Sequence, residues 1–230
     1  MFIKYFLIIS SVTFFVLFCF DALSYADGIT LVGSKQGQSV GFIDIDGDGI
    51  DDEIIGAPYA NLHLKSGAIL VYMGNTYGRF FPRPFVLLSD DDNYGFSFKN
   101  IGDTDGDGRE DFAVGAINGG GPDVSLSGSV IVYKGYKGSK KIISKLSGEG
   151  AMDKFGFFIS AGDLNGDGKR DLIVGAPFNT NDPSIYQGGA VYVYLAPYFT
   201  SKIAIYASSI NKGLGWSAEA GDINGDNIDD

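Results

Sequence analysis

The sequence predicts an all-β fold: a partial β-propeller of four-stranded blades, about three of them followed by part of a fourth. Three observations predict it. First, four acidic, glycine-rich runs recur: "IDIDGDGIDD" at 43–52, "GDTDGDGRED" at 102–111, "GDLNGDGKRD" at 162–171 and "GDINGDNIDD" at 221–230. They open at Asp44, Asp103, Asp163 and Asp222, at spacings of 59, 60 and 59 residues, so one supersecondary unit is reused. Second, the segments between them are short, β-branched or aromatic, and separated by Gly, Asn, Asp and Ser, as strands are. Third, no stretch after Ala26 holds a helical period or helix caps over ten residues.

The elements follow in chain order. Residues 1–26 read as a signal peptide: Lys4 precedes 16 uncharged residues from Tyr5 to Phe20, and Ser24-Tyr25-Ala26 supplies the small residues of a cleavage site. A membrane anchor is the rival reading, but the run is short of the roughly 20 residues a spanning helix needs. Residues 27–230 read as one domain, without a Pro/Ser linker, of repeats at about 36–85, 94–148, 154–208 and 213–230. The third repeat is the most legible, with "KFGFFISAGD", the acidic loop, "LIVGAPF", "GGAVYVYLA" and "KIAIYAS". "AILVYM" at 68–73 and "SVIVYK" at 129–134 hold the place of "AVYVYL" at 190–195. Four antiparallel strands per unit make a propeller blade, in which radial packing covers both sheet faces. A stacked β-solenoid is the alternative, with shorter repeats.

Composition narrows the function. A net charge of −11 argues against nucleic acid, whose phosphates it would repel. The single cysteine, Cys19, lies within the predicted leader, so a core or bound metal must replace disulfides in an exported chain.

The acidic runs align from their first residue. Position 1 is Asp44, Asp103, Asp163 or Asp222; position 3 is Asp46, Asp105, Asn165 or Asn224. Position 5 is Asp48, Asp107, Asp167 or Asp226, and position 9 is Asp52, Asp111, Asp171 or Asp230. Glycine at position 4, and glycine or Asn227 at position 6, permit the positive φ that curls the chain. Converging carboxylates repel unless a cation lies between them. Hard oxygen ligands in that number suit Ca²⁺, one ion per loop and up to four in all, better than Mg²⁺, which keeps its waters. Position 7 is Ile50, Arg109, Lys169 or Ile228, so a backbone carbonyl is the ligand expected there. An EF-hand would need Glu at position 12, where Ile55, Val114 and Val174 stand instead.

With Phe155-Gly156 ahead of the loop and Gly175-Ala176-Pro177 behind it, the third unit resembles the FG-GAP repeats of the integrin α-subunit propeller. Gly56-Ala57-Pro58 repeats the second signature; Tyr94-Gly95, Gly115-Ala116-Ile117, Leu214-Gly215 and Gln36-Gly37 are variants. The resemblance implies seven blades, calcium loops on the lower face and partner binding on the upper. Seven units need about 420 residues, so the chain reads as a truncated or fragmentary copy, an open arc with exposed edges.

The function expected is that of an exported, secreted, periplasmic or cell-surface adhesion or recognition module. Its expected partners are an extracellular protein or glycan, with a partner subunit also a candidate. Rim segments 59–66, 117–127 and 178–188 are candidate binding loops, since loops on rigid scaffolds carry recognition. The alternatives are an accessory propeller of a secreted hydrolase and a glycan-binding propeller. No catalytic set is present: His63 is the sole histidine and has no nucleophile motif beside it.

Overall fold

The structure is a computed structural model and describes residues 37–62, 65–79, 84–120, 126–136, 140–180, 188–209 and 213–230. The predicted leader, Gln36 and His63 lie outside the described residues. Among those described, every regular element is a strand.

Three blades are formed, each an antiparallel meander. The first comprises β1 (Val40–Ile43), β2 (Asp52–Leu62), β3 (Lys65–Tyr72) and β4 (Phe85–Leu87). The second comprises β5 (Tyr94–Gly102), β6 (Asp111–Ala116), β7 (Ser129–Lys134) and β8 (Lys141–Ser147). The third comprises β9 (Phe158–Gly162), β10 (Asp171–Ala176), β11 (Ala190–Tyr194) and β12 (Lys202–Tyr206). Glu53 faces Tyr72, Phe112 faces Tyr133 and Leu172 faces Tyr194, so the repeat holds at the level of register.

The core lies between blades. Side chains alternate across a strand, and both faces of the second blade are covered. Phe112, Val114, Ala116, Ile131 and Tyr133 pack with Ile43, Ile54, Ile69 and Val71 of the first blade. Ala113, Val130, Val132 and Leu146 pack with Ile159, Leu172, Val174 and Tyr192 of the third. This is why "DFAVGA" and "DLIVGA" are apolar without alternation and buried throughout. Full burial of such side chains is worth about 1.5–3 kcal/mol each.

The motif glycines are where blades touch. A Cβ built on Gly56, Gly115 or Gly175 would lie 2.1, 2.4 or 2.0 Å from the carbonyl oxygen of Gly95, Gly156 or Gly215 in the next unit. A second contact accompanies each. Gly67, Gly128 and Gly189 form single parallel bridges to Tyr94, Phe155 and Leu214, with φ of 103°, 87° and 86°. A side chain would meet backbone at 2.3, 2.1 and 2.2 Å there. The aromatic members Tyr94 and Phe155 are fully buried in the cores shared with the preceding blade. Tyr94 is hydrogen-bonded to the Tyr133 hydroxyl at 3.0 Å, and Phe155 is edge-on to Tyr192 with ring centroids 5.3 Å apart. The first unit, weakest by sequence, keeps the backbone bond of the third: Gly37 N–H donates to Gly56 O at 3.0 Å, as Gly156 N–H does to Gly175 O at 3.1 Å.

One rim segment differs from expectation. Of residues 59–66, those described, 59–62 and 65–66, extend the β2–β3 strand pair rather than forming a free connector, with Asn61 opposite Ser66 and a register irregularity between Ala57 and Asn61. Pairing satisfies backbone groups that a loop would leave to water. Of the other two segments, 117–120, 126–127, 178–180 and 188 are described.

Candidate metal centre

The acidic loops are the β1–β2, β5–β6 and β9–β10 turns, with a fourth of the same build at 222–230. Position 1 organises each of them. Asp44 Oδ1 accepts the N–H groups of Gly47 and Asp48 at 2.8 and 3.0 Å, and its Oδ2 that of Gly49 at 2.8 Å. Asp103, Asp163 and Asp222 repeat the same three bonds, at 2.6–3.2 Å. Glycine is required because the curl puts position 4 at φ of 75°, 80°, 74° and 84°. Asn227 alone replaces the position-6 glycine, at φ 67°. Three accepted bonds still leave a carboxylate with about one of its four lone-pair sites, enough for one metal bond. Position 5 closes the turn, with Ile50, Arg109, Lys169 and Ile228 donating to the side chains of Asp48, Asp107, Asp167 and Asp226.

Position 9 does something spacing alone did not show. Asp52, Asp111 and Asp171 are buried at the first residue of β2, β6 and β10. Each ties its loop to the backbone just past the third strand of its blade. Asp52 accepts Ile45 N–H at 3.2 Å and Gly74 N–H at 2.8 Å. Asp111 accepts Thr104 N–H at 3.0 Å, the Thr104 hydroxyl at 2.5 Å and Gly135 N–H at 2.9 Å. Asp171 accepts Leu164 N–H at 3.2 Å and Ala196 N–H at 2.9 Å. Asp230 keeps one such bond, from Ile223 N–H at 3.3 Å.

Burial raises the pKa of these carboxyls. Asp52 is pushed up to about 6, chiefly by desolvation and further by Asp46 and Asp48, against the two N–H bonds that pull it down. Desolvation likewise raises Asp111 and Asp171. The exposed positions go the other way. At Asp163 desolvation is outweighed by backbone N–H donors, and Asp222 is lowered by the same kind of donors, Asn227 first. At Asp107 desolvation is outweighed by Lys134 and Arg109.

The first loop brings together oxygens of Asp44, Asp46 and Asp48, and the second those of Asp103, Asp105 and Asp111, all within 4.8 Å of one another. Two oxygens bound to one Ca²⁺ at about 2.3–2.6 Å lie at most about 5 Å apart, so the spacing and the all-oxygen donor set fit that ion. Loops three and four carry Asn165 and Asn224 at position 3, whose oxygens accept the N–H groups of Asp167 and Asp226 at 2.9 Å.

Neighbouring loops are also joined, through residues the spacing did not single out. Position 8 is Glu110 in the second loop; it accepts Asp44 N–H at 3.0 Å, and its own N–H donates to Asp44 O at 3.2 Å. Asp229 does the same for Asp163, both bonds being 2.8 Å. Position-7 side chains also reach back. Arg109 Nε donates to Asp46 O at 3.3 Å, and the tip of Ile228 covers the open face of Gly166. Lys134 was missed too, although aligning it with Met73 and Leu195 singles it out as the one charged residue at that place. Its ammonium lies 2.5 Å from Asp105 Oδ2 and 2.9 Å from Asp107 Oδ2.

Known proteins give the same repeats. The FG-GAP repeat profile matches residues 36–72 and 155–194, and the FG-GAP-like repeat profile matches 103–174. Integrin alpha-4 of Xenopus laevis is 31% identical over 156 residues, 63% of this chain and 14% of that protein. Integrin alpha ina-1 of Caenorhabditis elegans is 32% identical over 178 residues, 64% of this chain and 15% of its own. Integrin alpha-PS5 of Drosophila melanogaster is 30% identical over 177 residues, 72% of this chain and 16% of its own. The chain thus spans about one-seventh of the length of these relatives. The profile matches span all three blades and the relatives agree with them, so the chain is an FG-GAP repeat protein similar to integrin α subunits.

Proposed function

We propose that this chain is an exported, calcium-stabilised β-propeller module for adhesion or extracellular recognition, without catalytic activity of its own. The convergence of Asp44, Asp46 and Asp48 on one point carries the reading, because a divalent ion among three carboxylates held that close relieves their mutual repulsion. Positions 1, 3, 5 and 9 of each loop are the proposed side-chain ligands, with the carbonyls of Ile50, Arg109, Lys169 and Ile228 beside them. The ion's role is structural: it removes the repulsion within each turn and stiffens the hairpin that the turn connects.

The likeness to integrin α subunits supports the recognition role and suggests an extracellular protein ligand and a partner subunit. Among the described residues no helix is long and apolar enough to cross a membrane. The rim opposite the acidic loops, at 117–120 and 178–180, is the proposed ligand-binding side.

The decisive experiment is equilibrium dialysis of the folded chain against calcium, read beside its melting temperature in chelator. Bound calcium and a melting temperature that rises with calcium are expected, since a ligand specific to the folded state stabilises it. No bound metal and an unchanged melt would overturn the reading.

A further inference from the structure

The four loops are not electrostatically equal. The residue that follows the conserved tyrosine of each third strand is Met73 in the first blade, Lys134 in the second and Leu195 in the third. The correspondence is fixed by register: Tyr72, Tyr133 and Tyr194 pair with Glu53, Phe112 and Leu172, each one residue past the position-9 aspartate. The residue after it donates its N–H to that aspartate in all three blades, as Gly74, Gly135 and Ala196. In the first blade Met73 packs against the apolar core. Lys134 instead reaches down onto its loop and bridges the carboxylates at positions 3 and 5. Arg109 adds a second cation to Asp107, at 3.0 Å.

We propose that Lys134 is a tethered counter-cation that makes the second loop a weaker calcium site than the first. This rests on the calcium reading given above. The ammonium satisfies Asp105 and Asp107 where a divalent ion would need them, so metal enters only by displacing it. The second blade is thereby protected against metal loss, while the first loop, with apolar Met73 in that place, depends on its ion. Filling is graded: the second loop loads after the first as calcium rises and empties before the first as calcium falls.

The test compares calcium isotherms, by calorimetry and equilibrium dialysis, of the full chain and of Lys134→Met, which installs the residue of the first blade. Lys134→Gln removes the charge with less change of polarity. The native chain is expected to bind calcium more weakly at one site, the second loop, than at the first loop. Both variants are expected to tighten that site by at least about fivefold, the effect of one unit charge a few ångströms away even in water-like dielectric. Adding Asp107→Asn to Lys134→Met should remove the tightened site, which assigns it to the second loop. A second readout separates the idea from loss of fold: Lys134→Met should melt below the native chain in chelator, yet not below it in saturating calcium. Calcium constants within twofold of native in both variants would overturn the role of Lys134 and leave calcium binding standing. No uptake by native or variant chains would overturn calcium binding itself, and this assignment with it.

Discussion

Asp111 shows how one carboxylate serves both loop and blade. It is fully buried and accepts two donors from Thr104 and one from Gly135. Asp111→Ala strands those donors and is expected to destabilise the chain by about 3 kcal/mol, read from urea unfolding in chelator. The four-fold recurrence of aspartate at position 9 was plain in the sequence, and so was its place at the entrance to a strand. That its oxygens are held by backbone just past the third strand was not, because those partners are N–H groups 22–25 residues away that any residue type supplies. Lys134 was hidden for another reason: a lysine at a strand end is ordinary until the register sets it over Asp105.

Between elements, the glycines separate strain from contact. Gly106 and Gly128 have similar φ, 80° and 87°, but Gly106 has open space where a Cβ would project, while Gly128 abuts Phe155 O at 2.1 Å. Gly106→Ala should therefore cost about 1–2 kcal/mol, the penalty of the left-handed conformation alone. Gly128→Ala should cost well over about 3 kcal/mol or abolish folding, since it also forces two blades apart. Thermal melts of both variants in chelator check the ordering. Strand identity was legible from the valine–tyrosine runs, and the glycine motifs from their recurrence. Their use as contacts between successive units was not legible, because the partner in each case is backbone. The extension of β2 through Leu62 escaped notice because Asn61 and Ser66 carry turn chemistry although they pair.

At the scale of the whole molecule, pH acts on the carboxyls proposed to hold the metal. The folded-state pKa of Asp52, about 6, lies above its ordinary value. Between about pH 4 and 6 the folded chain thus holds a proton that the unfolded chain has released. The contribution of this group favours folding at the acid end and is lost as pH rises through 6. Asp111 and Asp171 act in the same direction; Asp107, Asp163 and Asp222, whose values are lowered, act in the opposite one. Calcium binds only ionised ligands. With position 9 among the ligands, the rise in melting temperature on adding calcium should be larger at pH 7 than at pH 5. Scanning calorimetry at the two values, with and without chelator, checks this; an equal rise at both would exclude Asp52 as a ligand.

The recurring glycine approach has an evolutionary corollary. Since Gly67 meets Tyr94 as Gly128 meets Phe155, each of these units presents the same glycine contact to its successor, and in-frame duplication or loss of a whole unit preserves that contact. Excision of Tyr94–Lys154 would set Phe155 against Gly67 and Gly156 against Gly56. A chain shortened in this way should retain one cooperative transition, whereas a cut of the same length shifted by half a unit should not.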